Sequence, residues 1–299
     1  MANIPYNQIM ASRPFRVLVG DRKKEFTIHA DLLSNMSKPL EALVNNKMKE
    51  SNEGVAEWPE VDEETFVRFS QFAYTGNYDQ RIPELLPLAK DATKILSPGP
   101  GVASKNSWNF GSEDEPVEED ELYSHSTQYY NKRTSSSKRP KKQTPDDCFP
   151  YPGRLWDQFK SLQYEIPESP KEGAKLPPAS YSEVFLSHAR LYVLADYYDI
   201  QKLAKLSLRK LHRMLVDYQL VKDELLSARI DNIIPLIEYS FQNTADIGAN
   251  KDELRLLLTK YIGCKAEMLW SSVSFQKLLA EYGELSAAVI GQMIQRLDQ

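Results

Sequence analysis

The spacing of apolar positions divides the first part of the chain into short alternating and helical runs. Phe15, Val17 and Val19 alternate with other residues up to Gly20-Asp21, and Phe26 and Ile28 alternate just before His29. Two such runs flanking GDRKK predict a β-hairpin with a loop a little longer than the tightest type. Over residues 30–46 the period changes: Leu32, Leu33 and Met36 form one helical cluster, and Leu40, Leu43 and Val44 the next. Ser37 with Pro39 after it marks a fresh helix start, because the missing proline N–H costs nothing in a first turn. Residues 55–61 predict a third strand, closed by Pro59. Asp62 then caps a helix whose apolar face is Phe66, Phe69, Phe72 and Ala73, and Gly76 is its left-handed stop.

The longest periodic stretch lies much further on. Leu186, Ala189, Val193, Tyr197, Ile200, Ala204, Leu208, Leu211 and Leu215 follow one another in steps of three or four, while Arg190, Lys202, Lys205, Arg209 and Lys210 fall largely on the other side. Ser180 with Glu183 reads as a capping box opening this stretch, and Asp199 as a second cap that splits it in two. So long an apolar face needs a partner surface, and its immediate neighbours do not supply one. More helices follow: Ile230, Ile233, Ile234 and Ile237 share a face; Asn250 with Glu253 opens a helix carrying Leu254, Leu257, Leu258, Tyr261 and Ile262; Phe275, Leu278, Leu279 and Tyr282 form another; Leu285, Val289, Met293 and Leu297 the last.

The middle is different. Residues 82–96 predict a short helix limited by Pro83 and Pro87. SPGPG at 97–101 is a breaker cluster, EDEPVEEDE at 113–121 an acidic block, and KRTSSSKRPKK at 132–142 a basic, serine-rich one. Prolines stud the remainder. Most of residues 79–178 therefore buries too little apolar surface to offset chain entropy and is expected to be disordered. An ordered patch is expected within 148–166, where Phe149, Tyr151, Leu155, Trp156, Phe159, Leu162 and Tyr164 can dock on the rest of the chain.

Composition narrows the function. The 299 residues carry a net charge of −5, so the whole molecule is no electrostatic match for nucleic acid, and no direct nucleic-acid binding is expected. Two cysteines, Cys148 and Cys264, make no disulfide framework and point to a reduced, intracellular setting. No secretory signal or bilayer-spanning run is evident, which leaves nucleus or cytoplasm, with the nucleus favoured by the basic block. Within that block Lys138, Arg139, Lys141 and Lys142 fit a nuclear import signal, weakened by phosphorylation of Ser135–Ser137; they equally fit a solvated run balancing the acids upstream. No Walker loop, G-x-G-x-x-G, G-x-S-x-G or C-x-x-C occurs. His29, His125, His188 and His212 are scattered, with His29 and His188 read as helix-start or surface groups, so no catalytic, cofactor or metal site is expected.

The run after FTIH, LLSNMSKPLEALV, then WPEVDEETFVRFSQFAYTGNY and later HARLYVLADYYDIQKLAKLSLRKL together resemble the BTB/POZ fold in the form common among fungal proteins. The residues carrying the likeness are His29 at the end of the hairpin, the Tyr74-Thr75-Gly76 helix end, and Ala195-Asp196-Tyr197-Tyr198. LRLLLTKY and FQKLLAEYGEL resemble the tail of the same proteins. The resemblance implies an α+β domain split into residues 1–78 and 179–216, with residues 79–178 as an insertion and 217–299 as a helical extension. The gap between the halves departs from compact members. The split predicts that Val193, Tyr197 and Ile200 touch Phe66, Phe69 and Phe72. It also implies protein partners and self-association through Ile9, Met10, Phe15, Leu32, Leu33 and Met36, of which Phe15, Leu32 and Leu33 fit simple core roles equally well. Some relatives bind cullin scaffolds of ubiquitin ligases through an apolar-x-Glu element, matched here by Ile82 with Glu84 and by Tyr181 with Glu183. The two functions implied are a scaffold that dimerises and gathers partners, and a cullin adaptor.

Overall fold

The computed structural model describes residues 4–46, 52–85, 152–162, 179–218, 220–248 and 250–297. All of them belong to one compact unit, which takes in residues on both sides of the 87–148 segment. A short helix α1 (Tyr6–Ala11) precedes a hairpin of β1 (Pro14–Val19) and β2 (Lys24–His29), followed by α2 (Ala30–Ser34), α3 (Lys38–Asn45), β3 (Val55–Trp58) and α4 (Glu63–Thr75). A two-residue strand β4 (Glu84–Leu85), helix α5 (Pro152–Lys160) and a second two-residue strand β5 (Ala179–Ser180) come next. Every described element after β5 is a helix: α6 (Ser182–Tyr197), α7 (Gln201–Asp217), α8 (Leu226–Asn243), α9 (Glu253–Leu269), α10 (Val273–Glu281) and α11 (Gly283–Leu297).

The local signals explain most of these bounds. The hairpin pairs Pro14 with His29 through Val19 with Lys24, and β3 runs parallel to β1 from Arg16↔Val55 to Val19↔Trp58, giving the order β2-β1-β3. Proline is tolerated at the first position of the central strand. Phe15, Val17 and Val19 all point inward and are fully buried. The Ser37 hydroxyl accepts from Leu40 N at 3.3 Å, and the Asp62 carboxylate accepts from Thr65 N at 2.9 Å. Gly76 ends α4 at φ 74°, a left-handed conformation that glycine adopts without a Cβ penalty. The third strand is shorter than the sequence predicts, because Pro59 cannot extend the ladder.

The segment expected to be a short helix from Ile82 opens instead as β4, which pairs antiparallel with β5 through Glu84↔Ser180 and Leu85↔Ala179. The chain thus leaves for the insertion and returns from it on adjacent strands. The rest of that expected helix, the acidic block and the basic block lie outside the described residues. Part of the expected aromatic patch is ordered: α5 buries Phe159 and half-buries Trp156, Leu162 just after it is half-buried, and Phe149, Tyr151 and Tyr164 lie outside the described residues.

Two apolar cores meet along α6 and α7. One joins Phe15, Ile28, Leu33, Trp58, Phe66, Phe69 and Phe72 to Leu191, Leu194, Ala195, Ile200, Leu203 and Leu206. The other joins Val184, Phe185, Ala189, Tyr192, Leu208, Leu211 and Leu215 to α8, α9, α10 and α11. Ten of the sixteen residues of α6 are buried, so it has no solvent stripe and serves both cores. That shifts the predicted contact. Ile200 does join Phe66, Phe69 and Phe72, but Val193 packs on the helical core and Tyr197 is 76% exposed. Tyr198 takes the inward place and stacks on Trp58, ring centroids 4.6 Å apart.

Three caps differ from expectation. Ser180 and Glu183 form no capping box. The side-chain oxygen of Asn232, on α8, accepts from Tyr181 N at 3.1 Å, Ser182 N at 3.2 Å and the Ser180 hydroxyl at 3.1 Å. Asp199 is not a cap; it holds a left-handed turn at φ 53° between α6 and α7. The cap of α9 is Asp252, two residues after Asn250, and it accepts from Arg255 N at 2.9 Å.

Candidate interaction site

The residues expected at a self-association surface separate into two groups. Phe15, Leu32, Leu33 and Met36 are buried within the sheet-side core of a single chain and present nothing to a partner. Ile9 is half-buried against that core, and Met10 is 51% exposed. Tyr6, which the sequence reading passed over, is 68% exposed on the same helix. Helix α1 buries none of its residues completely, yet it is held in place. Gln8 Nε2 donates to Asp31 at 3.2 Å, the Ser12 hydroxyl donates to the Ile9 carbonyl at 2.8 Å, and Asp31 N donates to Ser12 Oγ at 3.3 Å.

Of the two apolar-x-Glu elements, Ile82 is 83% exposed and Glu84 is exposed in an ion pair with Arg81 at 3.5 Å. Tyr181 is buried in the helical core, because it sits under the turn that Asn232 closes. That removes it as a surface contact. Glu183 pairs with Arg190 at 3.0 Å. Lys138, Arg139, Lys141 and Lys142 lie outside the described residues.

A cleft of about 960 Å³ opens where β3, the start of α4, α6 and the end of α8 converge. Its aromatic lining comes from Trp58, Tyr197, Tyr198 and Tyr239, and its charged lining includes Asp62, Glu64, Arg81 and Arg190. The charges are linked across the cleft: Arg81 reaches Glu64 at 2.6 Å, and Arg190 lies 3.9 Å from Asp62. Burial raises the Tyr198 and Tyr239 hydroxyls above the ordinary phenol range, so both remain protonated hydrogen-bond donors. The cleft suits an aromatic or apolar side chain flanked by polar groups. Its walls come from segments far apart in sequence, so no local motif announced it.

His188 corrects the reading of it as a surface group. It is fully buried, with Nδ1 2.8 Å from the Tyr78 hydroxyl, and its Nε2 has no partner among the described residues. Burial, with Lys210 and Arg68 nearby, lowers its pKa to about 3 and keeps it neutral. His212 is also buried and its pKa is lowered by burial; its Nε2–H donates to the Phe159 carbonyl at 2.7 Å. His29 stands at the start of α2 with Nδ1 2.6 Å from the Tyr74 hydroxyl. Among the described residues no cluster of three or more His, Cys, Asp or Glu is arranged to hold a metal, and no helix is long and apolar enough to cross a membrane.

No protein-family model, curated protein or solved structure matches the chain.

Proposed function

We propose that the chain is a BTB/POZ-type protein-interaction scaffold, without catalytic chemistry, that associates with itself and gathers protein partners. The observation that carries this reading is α1: a helix pinned to α2 by side-chain hydrogen bonds while Tyr6 and Met10 face solvent. Tyr6 and Met10 stand one helical turn apart, and apolar side chains exposed side by side on an ordered element make a candidate interface. The aromatic cleft offers a second surface for a partner side chain. Light scattering on the purified chain at micromolar concentration is expected to give a dimer mass, and Tyr6→Glu with Met10→Glu a monomer. A monomeric wild type removes the self-association reading.

The exposure of Ile82 beside Glu84 favours a second reading, a cullin adaptor. Stoichiometric recovery of a cullin in a pull-down, lost on Ile82→Asp, supports it; no recovery removes it.

A further inference from the structure

Helix α5 is a nine-residue segment that rests in a groove built by other helices. Trp156 and Phe159, one turn apart, stack with centroids 5.4 Å apart and planes 13° from parallel. Phe159 meets His212 of α7 at 4.9 Å and Tyr261 of α9 at 5.6 Å. His212 donates to the Phe159 carbonyl at 2.7 Å, an oxygen that also accepts from Leu162 N at 3.2 Å. Lys265 of α9 places its ammonium 3.8 Å from the Trp156 ring centroid. The outer face of α5 is polar, with an Asp157–Lys160 ion pair at 2.8 Å.

Two features weaken this occupancy. A nine-residue helix is too short to persist alone in water, so its ordering cost falls on the docking step. The Tyr261 hydroxyl is buried beneath the aromatic pair with no hydrogen-bond partner among the described residues. A buried donor left unpaired costs about 1–3 kcal/mol. A groove shaped only for α5 would not leave the Tyr261 hydroxyl without a partner.

We propose that the α7–α9 groove is a helix-docking site, and that α5 is its displaceable occupant supplied by the chain itself. The ligand class is an amphipathic helix with two aromatic residues three positions apart. The same segment offered as a free peptide is the probe.

Hydrogen exchange on the intact chain tests release directly. Amides of α5 are expected to exchange about tenfold or more faster than those of α7 and α9 around His212 and Tyr261. Equal protection in all three helices overturns the proposal, because α5 would then open only with the core. Binding of a fluorescent peptide of residues 150–164 supplies the second measurement. The Phe159→Ala chain is expected to bind it about tenfold or more tightly than the wild type, whose groove is occupied. Absence of saturable binding to a variant with wild-type circular dichroism overturns the proposal. Should Phe159→Ala fail to fold, Trp156→Ala, which truncates a half-buried side chain, takes its place.

Discussion

On the sheet side of α6 the core is mainly apolar, with an aromatic cluster at its centre. Phe66 lies 4.9 Å from Phe26 and 5.8 Å from Phe69, and Trp58 packs on Phe66, Phe69 and Tyr198. On the helical side, polar groups are buried among the apolar ones. Arg255, 6% exposed, donates to Thr244 Oγ1 at 3.0 Å and to the Phe241 carbonyl at 2.9 Å, and it also reaches the Thr244 carbonyl and Glu284. Thr259 and Ser240 donate to carbonyls one turn back, at 2.6 and 2.7 Å. The first core depends on volume, the second also on satisfied polar geometry, and the two should fail differently when altered.

The largest effect is expected on the sheet side. Phe69→Ala should cost about 3–5 kcal/mol in a denaturant titration, while Phe69→Leu, which keeps most of the volume, should cost well under half of that. Equal losses for the two variants would break the volume account. On the helical side Arg255→Met keeps most of the volume but leaves the Phe241 and Thr244 carbonyls unpaired. It should still cost roughly 2–3 kcal/mol by the same titration, and a neutral result would erase the contrast.

The third effect, of similar size to the second, is a pH dependence where the insertion-flanking Tyr78 meets His188. The folded pKa of His188, about 3, lies below its unfolded value, so the unfolded chain binds the proton more readily. The stability contribution is complete above the unfolded pKa of about 6.5 and declines as pH falls from there toward 3, by on the order of 1 kcal/mol per pH unit. His212 acts in the same direction. Unfolding midpoints of the wild type and His188→Gln, compared between pH 7 and 4, isolate the term; identical slopes would exclude it.

The strand-strand-helix-helix-strand-helix order, the Ser37 and Asp62 caps and the Gly76 stop were legible because each depends on neighbours within a few residues. Helix α6 was misread because periodicity reports a single buried face, and α6 is buried on two. Its cap was invisible because Asn232 reaches it from α8. His188 offered no local sign of burial, since its partner Tyr78 lies across the insertion. Of the self-association residues, Met10 could be placed from sequence as an apolar residue with little core to join, and Phe15, Leu32 and Leu33 as core, whereas the burial of Met36 followed only from tertiary packing.

The split of the sheet-side core also has a consequence for synthesis. The face formed by Phe66, Phe69 and Phe72 needs Leu191, Leu194 and Ala195 to cover it, and these lie roughly 110 positions beyond Tyr78. At about 5–20 residues per second, a nascent chain carries that aromatic face uncovered for roughly 5–20 s. Throughout that interval the emerging sheet is a natural client for chaperones at the ribosome.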